Sequence, residues 1–170
     1  MKKSVKVRKL IFEILFEIYQ KSINFEESYN KFTKNISIND QDRSMIINVV
    51  LNSMRNNFYI SGILNQYLKK RTSLKIKILL LSAVTQIFYL DFKNYAVTND
   101  SVEVAKIKKL NPGLINSLLK NLINSSNKIN KTEVDIHIIP SWINNDLKKN
   151  KTNIMSVLET ISKEPSLHLD

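Results

Sequence analysis

Glycine and proline are scarce along the whole chain, and this scarcity constrains the fold more than any other feature of the sequence. Only two glycines, Gly62 and Gly113, and three prolines occur among 170 residues. A sheet protein needs many tight turns, and tight turns favour glycine. Apolar residues make up 43% and charged residues 24%, which is an ordinary globular balance. The sequence therefore predicts an all-α fold with one main hydrophobic core.

Apolar residues recur at helical spacing in seven successive segments. The first, at residues 4–20, carries a stripe that includes Ile11, Ile14 and Ile18. The fifth, at residues 74–90, is apolar around nearly its whole circumference, so we predict that it is the central helix. The other five segments begin near residues 24, 40, 59, 96 and 113. We expect a bundle of about seven helices.

Three of these segments begin with recognisable cap signals. Asn24 is followed three residues later by Glu27, which is the spacing of a capping box. Ser73 stands just before the fifth segment and is predicted to cap it. Asn111 and Pro112 precede the seventh, where a cap followed by proline is a strong start signal.

Residues 127–139 lose the helical period and are predicted to be a linker. They separate a main domain at residues 1–126 from a short helical extension at residues 140–170. The extension begins at Pro140-Ser141-Trp142 and contains two short helices, one ending near residue 149 and one at residues 153–162. Two short helices bury little by themselves, so we expect them to dock on the main body or on a segment that follows. Trp142 is the predicted anchor, and the alternative is that it is a platform for base stacking.

The net charge of +11, from 26 basic and 15 acidic side chains, indicates a polyanionic partner. RNA, DNA and an anionic membrane all satisfy this condition. The most apolar window, residues 76–90, is shorter than the roughly 20 residues that span a bilayer. The first residues run directly into an amphipathic segment, unlike a secretory signal. We therefore expect a cytoplasmic protein without membrane attachment.

The basic residues are clustered in the sequence. No acidic residue lies between Asp42 and Asp91, and the first ten residues likewise contain basic side chains and no acidic one. Such clusters are the expected footprint of phosphate contacts. The alternative for any single lysine is that it lies on a solvent-exposed helix face and contacts no ligand. Lys9, for example, can pair with Glu13 one turn later. The residues predicted to contact the phosphates of a polyanionic partner are Lys2, Lys3, Lys6, Arg8, Lys9, Arg43, Arg55, Lys69, Lys70, Arg71, Lys75 and Lys77.

Side chains for metal binding or catalysis are few. The chain has no cysteine, which excludes disulfides, thiolate metal sites and cysteine nucleophiles. The two histidines, His137 and His168, lie far apart and lack the spacing of a metal or general-base site. We predict no catalytic residue and no metal site in this chain.

Two motifs, which follow each other along the chain as they do in the family, resemble motifs of the NusB-like helical domain. Residues 99–106, Asn-Asp-Ser-Val-Glu-Val-Ala-Lys, resemble the family's Asn-Glu-Ala-Val-Glu-Leu-Ala-Lys helix. Residues 113–122, Gly-Leu-Ile-Asn-Ser-Leu-Leu-Lys-Asn-Leu, are similar to its Gly-Leu-Val-Asn-Ala-Val-Leu-Arg-Asn-Leu. This domain occurs in the antitermination factor and at the front of bacterial ribosomal RNA cytosine methyltransferases of the RsmB (Sun/Fmu) type. Asn99 and Glu103 share a helix face, so we expect them to pair across one turn or to hold a neighbouring loop. The alternative is that they contact a ligand.

Further positions resemble the methyltransferase branch. They are Asp42-Arg43, Met54-Arg55, Gln86 with Leu90-Asp91, and the Pro140-Ser141-Trp142 unit. The antitermination factor normally stops at the seventh helix, whereas the methyltransferase continues through such a Pro-x-Trp helix. The family-motif residues that we predict to be structural are Asp42, Asn99, Glu103, Asn116 and Trp142.

The chain also departs from the enzymes it resembles. An RsmB-type enzyme continues into a doubly wound domain that binds S-adenosylmethionine at a glycine-rich turn and attacks cytosine with cysteine. This chain has no such turn and no cysteine. We therefore expect no cofactor and no catalysis in the chain alone. It is expected to be a fragment that stops before the catalytic domain, or a shortened relative.

The resemblance implies an RNA-binding accessory domain of a ribosomal RNA methyltransferase. Its partners would be small-subunit ribosomal RNA and a methyltransferase domain in the same protein. Two alternatives stay open. One is an antitermination factor that acts with a ribosomal protein on nascent RNA. The other is a structural domain that packs on a catalytic module and whose positive charge is incidental.

Overall fold

The computed structural model describes residues 1–69, 71–129 and 139–163. Among them the chain is helical and contains no strand, so the predicted all-α bundle is confirmed. Most of the predicted linker, both histidines and Lys70 lie outside the described residues. The α-helices are α1 (Lys3–Lys21), α2 (Phe25–Thr33), α3 (Asp40–Arg55), α4 (Asn57–Asn65), α5 (Leu74–Val84), α6 (Asn94–Ile107), α7 (Pro112–Asn124), α8 (Ser141–Lys149) and α9 (Ile154–Ser162).

Asparagine side chains cap several of these helices. The Asn24 Oδ1 atom accepts a hydrogen bond from the Glu27 backbone N–H at 2.8 Å, as predicted. Asn111 accepts one from the Leu114 N–H at 3.0 Å, and Pro112 follows it at the first helical position. The prediction for Ser73 is wrong, because its side chain makes no capping hydrogen bond at the start of α5.

Helix α5 is the centre of the bundle, as its uniformly apolar surface predicts. It packs against α1, α3, α4, α6 and α7. Every residue from Ile78 to Val84 is buried, and Leu80 and Val84 are completely inaccessible. A helix that is surrounded by others needs apolar side chains on all its faces.

The predicted helix at residues 74–90 does not continue in α form to its end. Thr85–Tyr89 form a π-helical turn, in which the Leu90 N–H donates to the Thr85 carbonyl at 3.1 Å. The Thr85 hydroxyl donates to the Leu81 carbonyl one turn back, at 2.8 Å. This side-chain bond competes with the regular backbone ladder, which favours a local change of helical pitch.

Two ion pairs align α1 with α6. Arg8 pairs with Asp100 at 2.8 Å, and Glu13, further along α1, pairs with Lys108 just past the end of α6. The two helices therefore run in the same direction, and their first turns lie at the same end of the bundle. Helix α7 packs against α6 after a short connection, so these two helices are antiparallel.

The extension docks on the main body, which is one of the two predicted possibilities, but the predicted anchor does not make the contact. Ile139, which precedes α8, and Leu158 of α9 form a buried cluster with Tyr59 of α4. Trp142 is 66% exposed, so the prediction that it anchors the extension is wrong. Two aliphatic side chains, Ile139 at the end of the predicted linker and Leu158 of α9, form the buried contact, while the indole faces solvent. None of the helices in the described ranges has the length and apolarity that a membrane crossing needs.

Candidate nucleic-acid interface

A long groove of about 1220 Å³ runs along α6 and α7 beside the start of α1. We call it the motif groove, because Asn99, Glu103 and Asn116 of the family-like motifs all line it. The remaining lining residues are Met1, Lys2, Val5, Asn94, Tyr95, Thr98, Asp100, Val102, Lys106, Ile107, Pro112, Gly113, Lys120 and Ile123.

Both carboxylates of the motif groove are ion-paired. Asp100 is paired with Arg8, and Glu103 is paired with Lys106 at 2.6 Å. Glu103 therefore pairs across one turn with Lys106 and not with Asn99. Lys2 and Lys120 form no ion pair with any carboxylate in the described part of the chain. The groove thus keeps two cations free for an anionic ligand.

The helix ends strengthen this positive character. At the start of α1 the N-cap residue is Lys2, and at the start of α6 it is Lys93. Neither start has a side-chain cap or an acidic residue in its first turn. Because α1 and α6 are parallel, both sets of unpaired backbone N–H groups lie at the same end of the motif groove. Helix N-termini carry partial positive charge, and this charge favours anions.

The prediction that Arg8 contacts RNA is wrong, because this residue is buried. Arg8 is only 7% exposed, so it is not available for contact with RNA. Burial lowers the pKa of its guanidinium, and the carboxylate of Asp100 opposes that shift. The signal was present in the sequence, because Arg8 follows Val5 by three residues and precedes Phe12 by four. These spacings place Arg8 on the buried face of α1.

The other basic residues near the start of α1 divide into paired and unpaired ones. Lys3 pairs with Asp42 at 3.0 Å, and Lys9 lies 3.6 Å from Glu13, which is the pairing predicted as its alternative. The Lys3–Asp42 contact brings the start of α3, and with it Arg43, beside the start of α1. Lys6 and Arg43 pair with no carboxylate in the described ranges, so they remain candidates for phosphate contact.

A second basic region lies at the connection between α4 and α5. We call Lys69, Arg71, Lys75 and Lys77 the loop cluster. None of the four forms an ion pair within the described ranges. Helix α5 begins here without a side-chain cap and without an acidic residue in its first turn. The loop cluster is therefore positive through its side chains and through a free helix end.

The loop cluster and the motif groove occupy different parts of the molecule. The Lys75 Nζ atom lies 5.8 Å from the centroid of the Phe16 ring, and Lys77 shares a small groove with Tyr19. Phe16 and Tyr19 belong to the second half of α1. At about 1.5 Å per residue, Phe16 lies about 20 Å along the helix from Lys3.

Arg55 joins neither region. It ends α3, at the opposite end of α4 from the loop cluster, and its guanidinium donates to the Asn52 side chain at 3.2 Å. The basic residues between Asp42 and Asp91 share one stretch of sequence without acidic residues, but those that the structure describes lie in three places. These places are the start of α1, beside Arg43, the end of α3, at Arg55, and the loop cluster. No cluster of three or more His, Asp or Glu side chains that suits a metal ion occurs among the described residues.

Comparison with known proteins agrees with the fold. The family model described as the NusB family matches residues 5–124, which include nearly all of α1 to α7. A search of curated proteins finds no match to the chain. The matched segment covers well over half of the chain and contains both motifs that line the motif groove. The chain therefore belongs to the NusB family, whose domains are RNA-binding in general.

Proposed function

We propose that this chain is the accessory domain that holds small-subunit ribosomal RNA for a cytosine methyltransferase module in the cytoplasm. The observation that carries the proposal is the loop cluster, whose four cations lie in the sequence on both sides of the uncapped start of α5 and form no ion pair among the described residues. RNA backbone offers the matching array of closely spaced negative charges.

The loop cluster is unfavourable for the stability of the isolated domain. Lys75 and Lys77 lie in the first turn of α5, where the helix dipole disfavours positive charge by about 0.3–1 kcal/mol per residue. A bound phosphate offsets this cost, because it neutralises the lysines and accepts hydrogen bonds from the free N–H groups. We infer that these lysines serve ligand binding at the expense of helix stability.

Such contacts give affinity without reading a base sequence. The specificity of the domain therefore comes from the shape of the RNA and from the module to which the domain is attached. The described helices offer no glycine-rich strand-to-helix turn that suits S-adenosylmethionine. We assign methyl transfer to a separate domain and no step of it to these residues.

The extension supports the methyltransferase branch over the antitermination factor. Helices α8 and α9 follow the family-matched segment, and they pack on α4 through Tyr59. This corresponds to the Pro-x-Trp continuation that distinguishes the methyltransferase branch in sequence. We propose that the extension joins the RNA-holding bundle to the catalytic module.

Crosslinking in living cells tests this function. The full chain is expressed with an affinity tag, irradiated with ultraviolet light and purified under denaturing conditions, and the attached RNA is sequenced. We expect enrichment of one region of small-subunit ribosomal RNA, and a fall in that enrichment when Lys69, Arg71, Lys75 and Lys77 are replaced by glutamine. Enrichment of nascent transcripts together with a ribosomal protein would favour the antitermination role instead. Absence of any crosslinked RNA would favour the purely structural one.

A further inference from the structure

The motif groove has one end where several features suited to a nucleotide meet. The starts of α1 and α6 lie there, since the two helices are parallel. Because α6 and α7 are antiparallel, Lys120 near the end of α7 lies there as well. We propose that this end binds a single unstacked nucleotide of single-stranded RNA, with its phosphate at the two helix starts and its base on Tyr95. This inference rests on the proposed RNA-binding function and adds a site distinct from the loop cluster.

Tyr95 provides the surface for the base. It is 79% exposed although it is a large aromatic side chain, and it lines the motif groove in the first turn of α6. Exposed aromatic rings at the edge of a basic groove are the usual platforms on which unpaired RNA bases stack. The ring is held by a helix, so stacking orders few additional torsions.

Lysine side chains and helix ends provide the phosphate contacts. Lys2 lies before the first turn of α1, and Lys120 lies on α7; neither has a carboxylate partner among the described residues. The first N–H groups of α1 and α6 add donors without a side-chain cap. The acidic residues of the groove, Asp100 and Glu103, are already paired, so they offer little repulsion to a phosphate.

A buried hydroxyl and a neighbouring amide complete the site. Thr98 lines the groove, is only 6% exposed, and its Oγ1 atom has no hydrogen-bond partner among the described residues. A buried polar atom without a partner is costly, and a ligand that supplies the bond removes this cost. Asn99, the next residue, presents both a donor and an acceptor, which suits the edge of a base or a ribose hydroxyl.

Fluorescence anisotropy with two probes tests the inference on the full chain. The probes are a short single-stranded oligoribonucleotide and a blunt RNA duplex of the same sequence. Bases in the duplex are stacked and paired, so only the single strand can place a base on Tyr95. We expect Tyr95→Ala to weaken binding of the single strand about tenfold and to leave duplex binding unchanged. Tyr95→Phe, which keeps the ring, should bind as the wild type does.

Two further variants make the outcome specific. Trp142→Ala removes another exposed aromatic side chain, outside the groove, and should change neither affinity. In a Trp142→Phe background, Tyr95→Trp leaves one tryptophan at the site, and the single strand should quench its fluorescence more than the duplex does. Unchanged single-strand affinity in Tyr95→Ala, or an equal weakening for both probes, would overturn the inference.

The failure of this site and the failure of the proposed function are distinguishable. If neutralising the loop cluster weakens both probes while Tyr95→Ala weakens neither, the nucleotide site is wrong and the backbone contacts stand. If the wild-type chain binds neither probe, both proposals are wrong.

Discussion

Arg8 and Asp100, separated by 92 residues in the sequence, form a buried ion pair with 2.8 Å between Nη1 and Oδ2. The pair fixes α1 against α6 and thereby positions one wall of the motif groove. The Arg8 Nε atom has no hydrogen-bond partner among the described residues, so the arginine depends on Asp100 for compensation of its buried charge. Burial of both charged groups costs free energy, which offsets much of their attraction. We infer that the pair serves mainly to align α1 with α6 and adds little net stability.

We predict that Asp100→Asn lowers the free energy of unfolding by about 3 kcal/mol, because it leaves the Arg8 charge buried without a counter-charge. The double variant Arg8→Met with Asp100→Leu should be destabilised by less than the sum of the single variants. Urea denaturation measures both effects. The matched control is Glu103→Gln, which breaks an exposed pair and should cost less than about 1 kcal/mol. Equal destabilisation in Asp100→Asn and Glu103→Gln would contradict this account.

A second prediction concerns the docking of the extension. Leu158→Ala should loosen α8 and α9 by about 2 kcal/mol, the lower end of the range for a buried leucine, because the cluster around Tyr59 is small. Hydrogen exchange should become faster in α8 and α9, with little change in α6 and α7. Ile161→Ala is the control, since Ile161 is 52% exposed on the same helix. Uniformly faster exchange along the whole chain would show that the extension is part of the main core.

A third prediction concerns alkaline pH. Burial raises the pKa of Tyr19 to about 12, whereas an unfolded tyrosine ionises near pH 10. The unfolded state therefore loses its proton first, and the stability that Tyr19 contributes is complete below about pH 10 and is lost as the pH rises towards 12. We expect Tyr19→Phe to make the fall in unfolding free energy over this interval shallower. Parallel curves for the two proteins, measured by urea denaturation, would argue against a raised pKa of this partly buried phenol.

The helices of this protein were largely predictable because most of them have a clear apolar pattern or a local cap. Asn24, Asn111 and the apolar surface of α5 are signals within a few residues of the structure they specify. The π-helical turn at Thr85–Tyr89 was not predictable, because a segment that is apolar on all sides carries no periodicity to reveal a change of pitch. The docking of the extension was predictable, but Trp142 as its anchor was not a correct choice.

The candidate site was less predictable, because it depends on contacts between distant residues. Arg8 lies in a run of lysines, and only its phase on α1 distinguishes it from residues that face solvent. Its partner Asp100 is remote in the sequence, so no local pattern identifies the pair. Asn99 and Asn116 were identified from local motifs, but the groove that both of them line depends on contacts between distant segments and was not predicted. A groove between three helices follows from their packing and not from any one segment.

The salt dependence of RNA binding tests whether the loop cluster contacts RNA phosphates. The logarithm of the association constant for a structured small-subunit ribosomal RNA fragment is measured against the logarithm of the salt concentration. Two variants with the same change of net charge are compared with the wild type. One replaces Lys69, Arg71, Lys75 and Lys77 by glutamine, and the other makes the same replacement at four lysines of the extension, Lys148, Lys149, Lys151 and Lys163.

We predict a steep negative slope for the wild type and for the extension variant. The loop-cluster variant should bind more weakly, with a slope that is shallower by about 0.7–0.9 for each phosphate that its side chains no longer neutralise. Equal slopes and affinities in the two variants would contradict the account, because the positive charge would then act only through its total amount.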